Sequence, residues 1–446
     1  MPSKKELSLR NPDAQGAALL YQGIKNMLRC DEAEVVSGIA KYVMSQHRLL
    51  RIGSELMVRA RRTPLPSIMA LLGAVTRFLE VRQGYQSEGA IWVARLGNER
   101  RAIEEIINSV PELNWTEVRL GRPPDLLGLR ALMRRIRSRP QRLLRIARRL
   151  HQRHEFFRVL RAIELVGYYA RYLSIFQEGR YDVAMLSSHS NPHGIAFNLA
   201  ARRAGVPVVL ITHGMPVRPV AKLRYDLALV HCEAARLTYV EEGSDPGRAL
   251  IHGRRQHFRE MPVDAIPRQV TVGIFLCKDV NEQLVRALVG QLLGDAKVAS
   301  VLIRPHPKNL WRELDIWIES QNDLRLRRTQ GGTVSQDLAT VDIVLAGNSS
   351  VLIDAVTGGR PAAFVPGLDR GAPDMHQFVM RGLVCSLETA MDGAALKFEL
   401  EKIAAFYQRP EWVEVLRLFA NIDEEQISVR NRFAAELRQL ATSRLT

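Results

Sequence analysis

Four short stretches of this sequence place reactive side chains where an apolar run ends. Thr212-His213-Gly214-Met215-Pro216 closes the run PVVLITHG. A histidine there, with an ordinary pKa of about 6.5, suits a general base for a hydroxyl. The same residue also serves as a structural histidine in a tight turn. Arg304-Pro305-His306-Pro307 closes VASVLI. Two prolines fix the backbone around His306, so Arg304 and His306 are placed to offset phosphate charge, or simply to terminate a strand. Gly347-Asn348-Ser349-Ser350 closes DIVLAG and opens a helix that contains Asp354. Free N–H groups and serine hydroxyls at that point suit a phosphate, and suit ordinary N-capping equally well. Ser187-Ser188-His189-Ser190-Asn191-Pro192-His193-Gly194 follows DVAML, and His189, Asn191 and His193 are candidate acceptor contacts. No pair of acids is spaced for a divalent ion, so no metal or resident cofactor is expected.

These stretches sit in a repeating order of strand and helix. AIWVARL, WTEVRL, DVAMLSS, PVVLITHG, DLALVH and ALIHG read as buried strands separated by helical segments such as GIAFNLAARRAG and EAARLTYVEEG. The polar segment RRQHFREMPVDAIPRQ, with Pro262 and Pro267, reads as a linker. A second series follows it: VTVGIFLC, VASVLIRP, DIVLAG and PAAFVP, with helices between. Alternation of this kind predicts an α/β chain with parallel sheets, and ligands at the C-terminal ends of the strands. The expected division is a helical region over 1–86, a first Rossmann-like domain over 87–260, a second over 268–405, and helices over 406–446.

In their order and separation, THGMP, RPHP and NSSVLIDAVTGGRP resemble motifs of GT-B-fold transferases that build bacterial surface polymers. The likeness covers residues of about 180 to 370. It is greatest to CDP-glycerol glycerophosphotransferases, and the HP and SS pairs also look like those of sialyltransferases and capsule transferases. Two positions depart from the first pattern: Thr212 stands where those enzymes carry Trp, and Met215 where they carry Thr. The resemblance implies a GT-B enzyme with two Rossmann-like domains facing a cleft. It further implies a nucleotide-sugar donor, CMP- or CDP-linked by preference, held by Arg304, His306, Ser349, Ser350 and Asp354. His213 would be the base, no metal would be needed, and the acceptor would be a surface polysaccharide or glycolipid. A GT-B-fold sugar-nucleotide 2-epimerase and a non-catalytic scaffold of the same fold are the alternatives.

Composition narrows the classes. The chain has 446 residues, 46% apolar and 25% charged, which excludes a disordered, collagen-like or fibrous protein. Cys30, Cys232, Cys277 and Cys385 lie far apart with no CxxC pair, which argues against a disulfide scaffold or zinc ribbon. No apolar run reaches the length of a membrane span. The N-terminus, MPSKKELSLRNPDAQG, has no apolar core behind its lysines, so no secretory signal is expected. The net charge is +16, and most of it lies between Arg119 and Arg161, where fourteen arginines face two acids. Leucines and isoleucines recur through that insertion at helical spacing, and Pro140 divides it. A basic amphipathic segment of this kind predicts a peripheral site on an anionic membrane surface, here the cytoplasmic face of the inner membrane. A solvated helical face packed on a core has the same pattern. Nucleic acid is not the expected partner, because no nucleic-acid-binding signature accompanies the charge. The chain is therefore expected to sediment with vesicles rich in anionic lipid and to leave them at high salt, where screening acts within about 10 Å or less. Equal binding to neutral vesicles would count against this reading.

Overall fold

The structure is a computed structural model. It describes residues 81–82, 88–120, 165, 168–169, 171–187, 191–216, 220–253, 259, 261, 269–307, 311–329, 331–369, 374–389, 396–421 and 424–443. The expected N-terminal helices and nearly all of the Arg-rich insertion lie outside these residues, as does His189.

Two parallel sheets organise the chain. The first is built from β1 (Glu88–Val93), β2 (Trp115–Glu117), β3 (Arg180–Leu186), β4 (Val208–Ile211), β5 (Leu227–Val230) and β6 (Arg248–Ile251). Its spatial order is β2-β1-β3-β4-β5-β6, every pair parallel. The second contains β7 (Val270–Phe275), β8 (Val298–Arg304), β9 (Leu326–Arg328), β10 (Ile343–Ala346), β11 (Ala362–Phe364) and β12 (Cys385–Ser386). Its order is β9-β8-β7-β10-β11-β12, again all parallel. That is the 3-2-1-4-5-6 order of a doubly wound dinucleotide-binding sheet. The α/β fold with two Rossmann-like domains is therefore as the strand pattern predicts. Three short elements escape that pattern: β9, β12 and the helix before β10.

The strands form where apolar residues run without interruption, because a parallel sheet is covered on both faces. β4, β5 and β10 are buried at every position. Helices α1 (Gly97–Ile107), α2 (Pro192–Arg203) and α3 (Glu233–Glu241) accompany the first sheet. The second sheet has α4 (Glu282–Gly294), α5 (Leu314–Ser320), α6 (Val334–Ala339) and α7 (Val351–Thr357). Asn281 caps α4 by accepting from the Leu284 N–H at 3.4 Å. Thr333 and Gln336 form a reciprocal capping box at α6.

An aspartate sets the register of each sheet. Asp226, just before β5, accepts from the Val208 N–H at 2.7 Å and donates its own N–H to the Val208 carbonyl at 2.8 Å. Asp342, just before β10, accepts from the Thr271 N–H at 2.8 Å and donates to the Thr271 carbonyl at 2.9 Å.

Three helices complete the chain: α8 (Leu400–Tyr407), α9 (Trp412–Phe419) and α10 (Gln426–Thr442). α10 returns to the first domain. Its Val429, Phe433, Ala434 and Leu437 share one apolar cluster with Trp92, Met185, Val209, Ile211 and Leu229 of the first sheet. Arg430 fixes it further, reaching Glu105 at 2.6 Å and His252 at 2.8 Å. At the crossing between domains, Gly253 has φ +72°, and a Cβ there would lie 2.8 Å from that of Asn421. Only glycine fits both conditions. Met215, Cys232, Ala234 and Ala235 of the first domain join the apolar cluster of the second. Arg381 pairs with Glu241 across the same junction at 2.8 Å. Among the described residues no helix is long and apolar enough to cross a membrane.

Phe433 is fully buried in α10. Phe433→Ala should therefore lower unfolding free energy by about 3–5 kcal/mol. Chemical denaturation followed by circular dichroism checks this. A loss below 1 kcal/mol would show that α10 is not an integral part of the first domain.

Candidate functional site

In an open parallel sheet a crevice opens where the strand order reverses, beyond the carboxyl ends of the strands. In the first sheet this falls between β1 and β3. β1 leads into Arg95, Leu96 and α1, whereas β3 is followed directly by Ser187 and neighbouring β4 by Thr212-His213. Ser187 is fully buried. Its hydroxyl lies 3.0 Å from Nδ1 of His213. The Thr212 N–H binds the Leu229 carbonyl at 3.0 Å, which holds the strand straight up to the histidine. Two residues on, Met215 is buried and receives the Cys232 thiol at 3.2 Å.

Glu99 supplies the charge in this crevice. It sits in the first turn of α1 and is only 1% exposed. Its Oε2 accepts from the N–H groups of Arg95 at 2.8 Å and Leu96 at 3.1 Å. The two bonds give this buried side chain hydrogen-bond partners from the backbone. Part of the His213 surface is exposed, yet the ring is set among buried atoms. Lost hydration lowers its pKa, and the Glu99 carboxylate works in the opposite direction. The imidazole is thus neutral at neutral pH and stands beside an anion that favours its protonated form.

The structure separates the three acceptor candidates. His189 lies outside the described residues. Asn191 is the N-cap residue of α2, half-buried, with no side-chain cap bond. His193 is a correction to the expected acceptor contact: it is fully buried in the first turn of α2. The edge of its ring meets Tyr168, with centroids 6.2 Å apart. Neither ring nitrogen has a hydrogen-bond partner among the described residues. Burial, with a smaller effect from Arg95, lowers its pKa to about 3.

In the second sheet the order reverses between β7 and β10. The floor of that crevice is a polar knot. Asn348 donates its backbone N–H to Asp369 at 2.7 Å and its amide at 3.0 Å. The Asn348 side-chain oxygen accepts from the Met375 N–H at 2.7 Å. Cys277, at the end of β7, lies 3.8 Å from the same carboxylate. Burial, with Asp369 adding to it, pushes that thiol up to about 12, so it stays protonated. Gly347 permits the knot, because a Cβ there would fall 2.1 Å from Asp369 Oδ2.

Ser349 and Ser350 follow directly. The Ser349 hydroxyl accepts from the Val351 N–H at 3.3 Å, so the capping use of this serine is realised. Ser350 is exposed, and Asp354 is half-buried inside α7. Arg304, at the end of β8, is committed elsewhere. It pairs with Asp337 of α6 and donates to the carbonyls of Gly332 at 2.9 Å and Thr333 at 3.3 Å. Its charge is compensated within the domain rather than left for a phosphate. His306, two residues on, is exposed.

Sequence reasoning passed over Ser187, Glu99, Asn348 and Asp369 as site residues. Ser187 lies in the last residues of the predicted run DVAMLSS and Asn348 directly follows DIVLAG, a usable signal. Glu99 and Asp369 reach the crevices only through tertiary placement. Among the described residues no group of three or more His, Cys, Asp or Glu side chains is placed to hold a metal ion.

No protein-family model matches the sequence, and no curated protein matches it. Solved structures do resemble it. One is a putative UDP-N-acetylglucosamine 2-epimerase from Listeria monocytogenes, 12% identical, covering 80% of this chain and 96% of that one, with a TM-score of 0.43. Another is a UDP-glucosyltransferase from Polygonum tinctorium, 11% identical, with coverage of 80% and 98% and a TM-score of 0.45. CalG4, the calicheamicin glycosyltransferase, is 13% identical, with coverage of 80% and 98% and a TM-score of 0.45. Transferases and epimerases stand side by side at this distance, so the likeness does not select a reaction.

The two pKa values of His193 define an acid dependence. The unfolded residue binds a proton below about 6.5, whereas the folded one resists until about 3. Unfolded chain therefore holds more protons between these values, and stability falls as pH falls, by up to about 1.4 kcal/mol per pH unit. His193→Gln should flatten the wild-type dependence between pH 6.5 and 4, measured by denaturant unfolding. Parallel curves for the two proteins would contradict the assignment.

Proposed function

We propose that this chain is a glycosyltransferase of the GT-B kind, moving a sugar or polyol phosphate from a nucleotide-activated donor to a hydroxyl acceptor. The observation that carries the proposal is His213. It is a neutral imidazole at the first crevice, bound through one nitrogen to buried Ser187 and set near the fixed charge of Glu99. Such a group can take a hydroxyl proton, and the nearby carboxylate then favours the imidazolium that results. The donor nucleotide belongs to the second domain, beside Ser349, Ser350 and His306. Hydroxyls and a histidine there offset charge as the nucleotide departs, a step that needs no metal in this scheme.

The motif resemblance supports a CMP- or CDP-linked donor and a surface polysaccharide or lipid-linked glycan as acceptor. The Arg-rich insertion supports a peripheral place on an anionic membrane, near such an acceptor. The decisive experiment measures nucleotide release from CMP-, CDP-, UDP- and GDP-linked donors, together with nucleotide affinity. His213→Ala should lower kcat by roughly 10²–10⁴ and leave nucleotide affinity nearly unchanged. Ser349→Ala with Ser350→Ala should weaken nucleotide binding by about 1–3 kcal/mol. Because burial lowers the His213 pKa, the acid limb of kcat/KM should fall below pH 6.5. Epimerisation of a donor without transfer, or no turnover of any donor, would overturn the proposal.

A further inference from the structure

Ser187 has no part in the scheme above beyond its contact with His213, yet its placement is specific. It is the first residue after β3, fully buried, with its hydroxyl 3.0 Å from Nδ1 of the histidine at the end of β4. A residue so enclosed cannot touch an acceptor or act as a nucleophile toward a sugar. The two nitrogens of an imidazole lie on different edges of the ring. Engaging Nδ1 with a buried group turns Nε2 outward, and His213 is exposed. Only Nε2 can then meet a hydroxyl.

Which nitrogen carries the proton is set by the bond that the other one makes. A serine hydroxyl either donates or accepts. If it donates to Nδ1, the outward Nε2 bears the proton and the ring cannot act as a base. If it accepts from Nδ1–H, the outward nitrogen presents a lone pair. Resting on the transferase reading, we propose that Ser187 is a positioning residue whose oxygen accepts the Nδ1–H of His213 and so leaves Nε2 free to take the acceptor's proton. In that step the acceptor O–H proton moves to Nε2 while the acceptor oxygen bonds to the transferred group. The bond to the nucleotide breaks, and its electron pair leaves with the nucleotide. The other ring proton stays on Nδ1, donated to the Ser187 oxygen throughout.

A neutral orienting partner suits this crevice. A carboxylate on Nδ1 would hold the ring by charge and favour its resting protonation. Serine orients without charge, and Glu99, tied to the N–H groups of Arg95 and Leu96, acts on the ring through space. Arg95 is the cation at the same strand end.

The test is 15N NMR of the full chain labelled at histidine, with His213 assigned by loss of its signals in His213→Gln. Wild type should show Nδ1–H at neutral pH. Ser187→Ala should shift the ring toward Nε2–H or a mixture and lower kcat by roughly 10-fold or more, up to the 10²–10⁴ that a base supplies. KM for the donor should stay unchanged, and Ser187→Thr should recover both tautomer and turnover. An Nε2–H tautomer in wild type, or an unmoved tautomer in Ser187→Ala, overturns the proposal. The spectrum needs no substrate. If no donor is turned over, the transferase reading fails, and the tautomer still decides the role of Ser187.

Discussion

A parallel sheet buried on both faces needs a cover on each, and the first sheet draws one of its covers from the far end of the chain. α10 begins at Gln426, about 175 residues beyond the end of β6. On that face α1 contributes Ile103 and Ile106, and α10 completes the cover with Val429, Phe433, Ala434 and Leu437. The two domains are thus covalently and energetically one object, with Gly253, Asn421 and the Glu241–Arg381 pair at their crossing. The histidine turn belongs to the same constraint. Met215 sits two residues after His213 and is buried with the second domain's apolar cluster. A change in how the domains meet would therefore be felt at the turn that carries the base.

The crevices use burial in opposite ways. In the first, partial burial of the His213 ring disfavours its charged form, while the Glu99 side chain accepts from two backbone N–H groups. In the second, the Asp369–Asn348 knot satisfies its own donors and acceptors and gives a rigid floor. Ser350, two residues after Asn348, is exposed beside it.

Much of the fold was readable because a buried parallel strand is an uninterrupted apolar run. DVAML, VVLI, LALV and IVLA needed no more than that. β9 was missed because LRR has one buried residue and two exposed ones, and β12 because it has two residues. The position of His213 was readable from its strand end. Ser187 likewise stands at a strand end, but Glu99 comes from a different βα unit and no local pattern marks it. Arg304 shows the opposite failure. Its strand-end position suggested a phosphate contact, but Asp337 lies 33 residues away on α6 and neutralises it within the domain. His193 sits two residues past Asn191, where a half-turn of helix carries it from the crevice into the core.

Asp226 and Asp342 hold their sheets at the amino ends of the strands, each by a pair of bonds to one residue of the neighbouring strand. Slipping either strand by one residue would break both bonds and turn every side chain to the wrong face. With alignment secured at the base, the opposite ends do not have to maintain it. Loops there can lengthen, shorten or change composition while the framework keeps its alignment, so this chain has room to acquire new recognition surfaces without refashioning its scaffold.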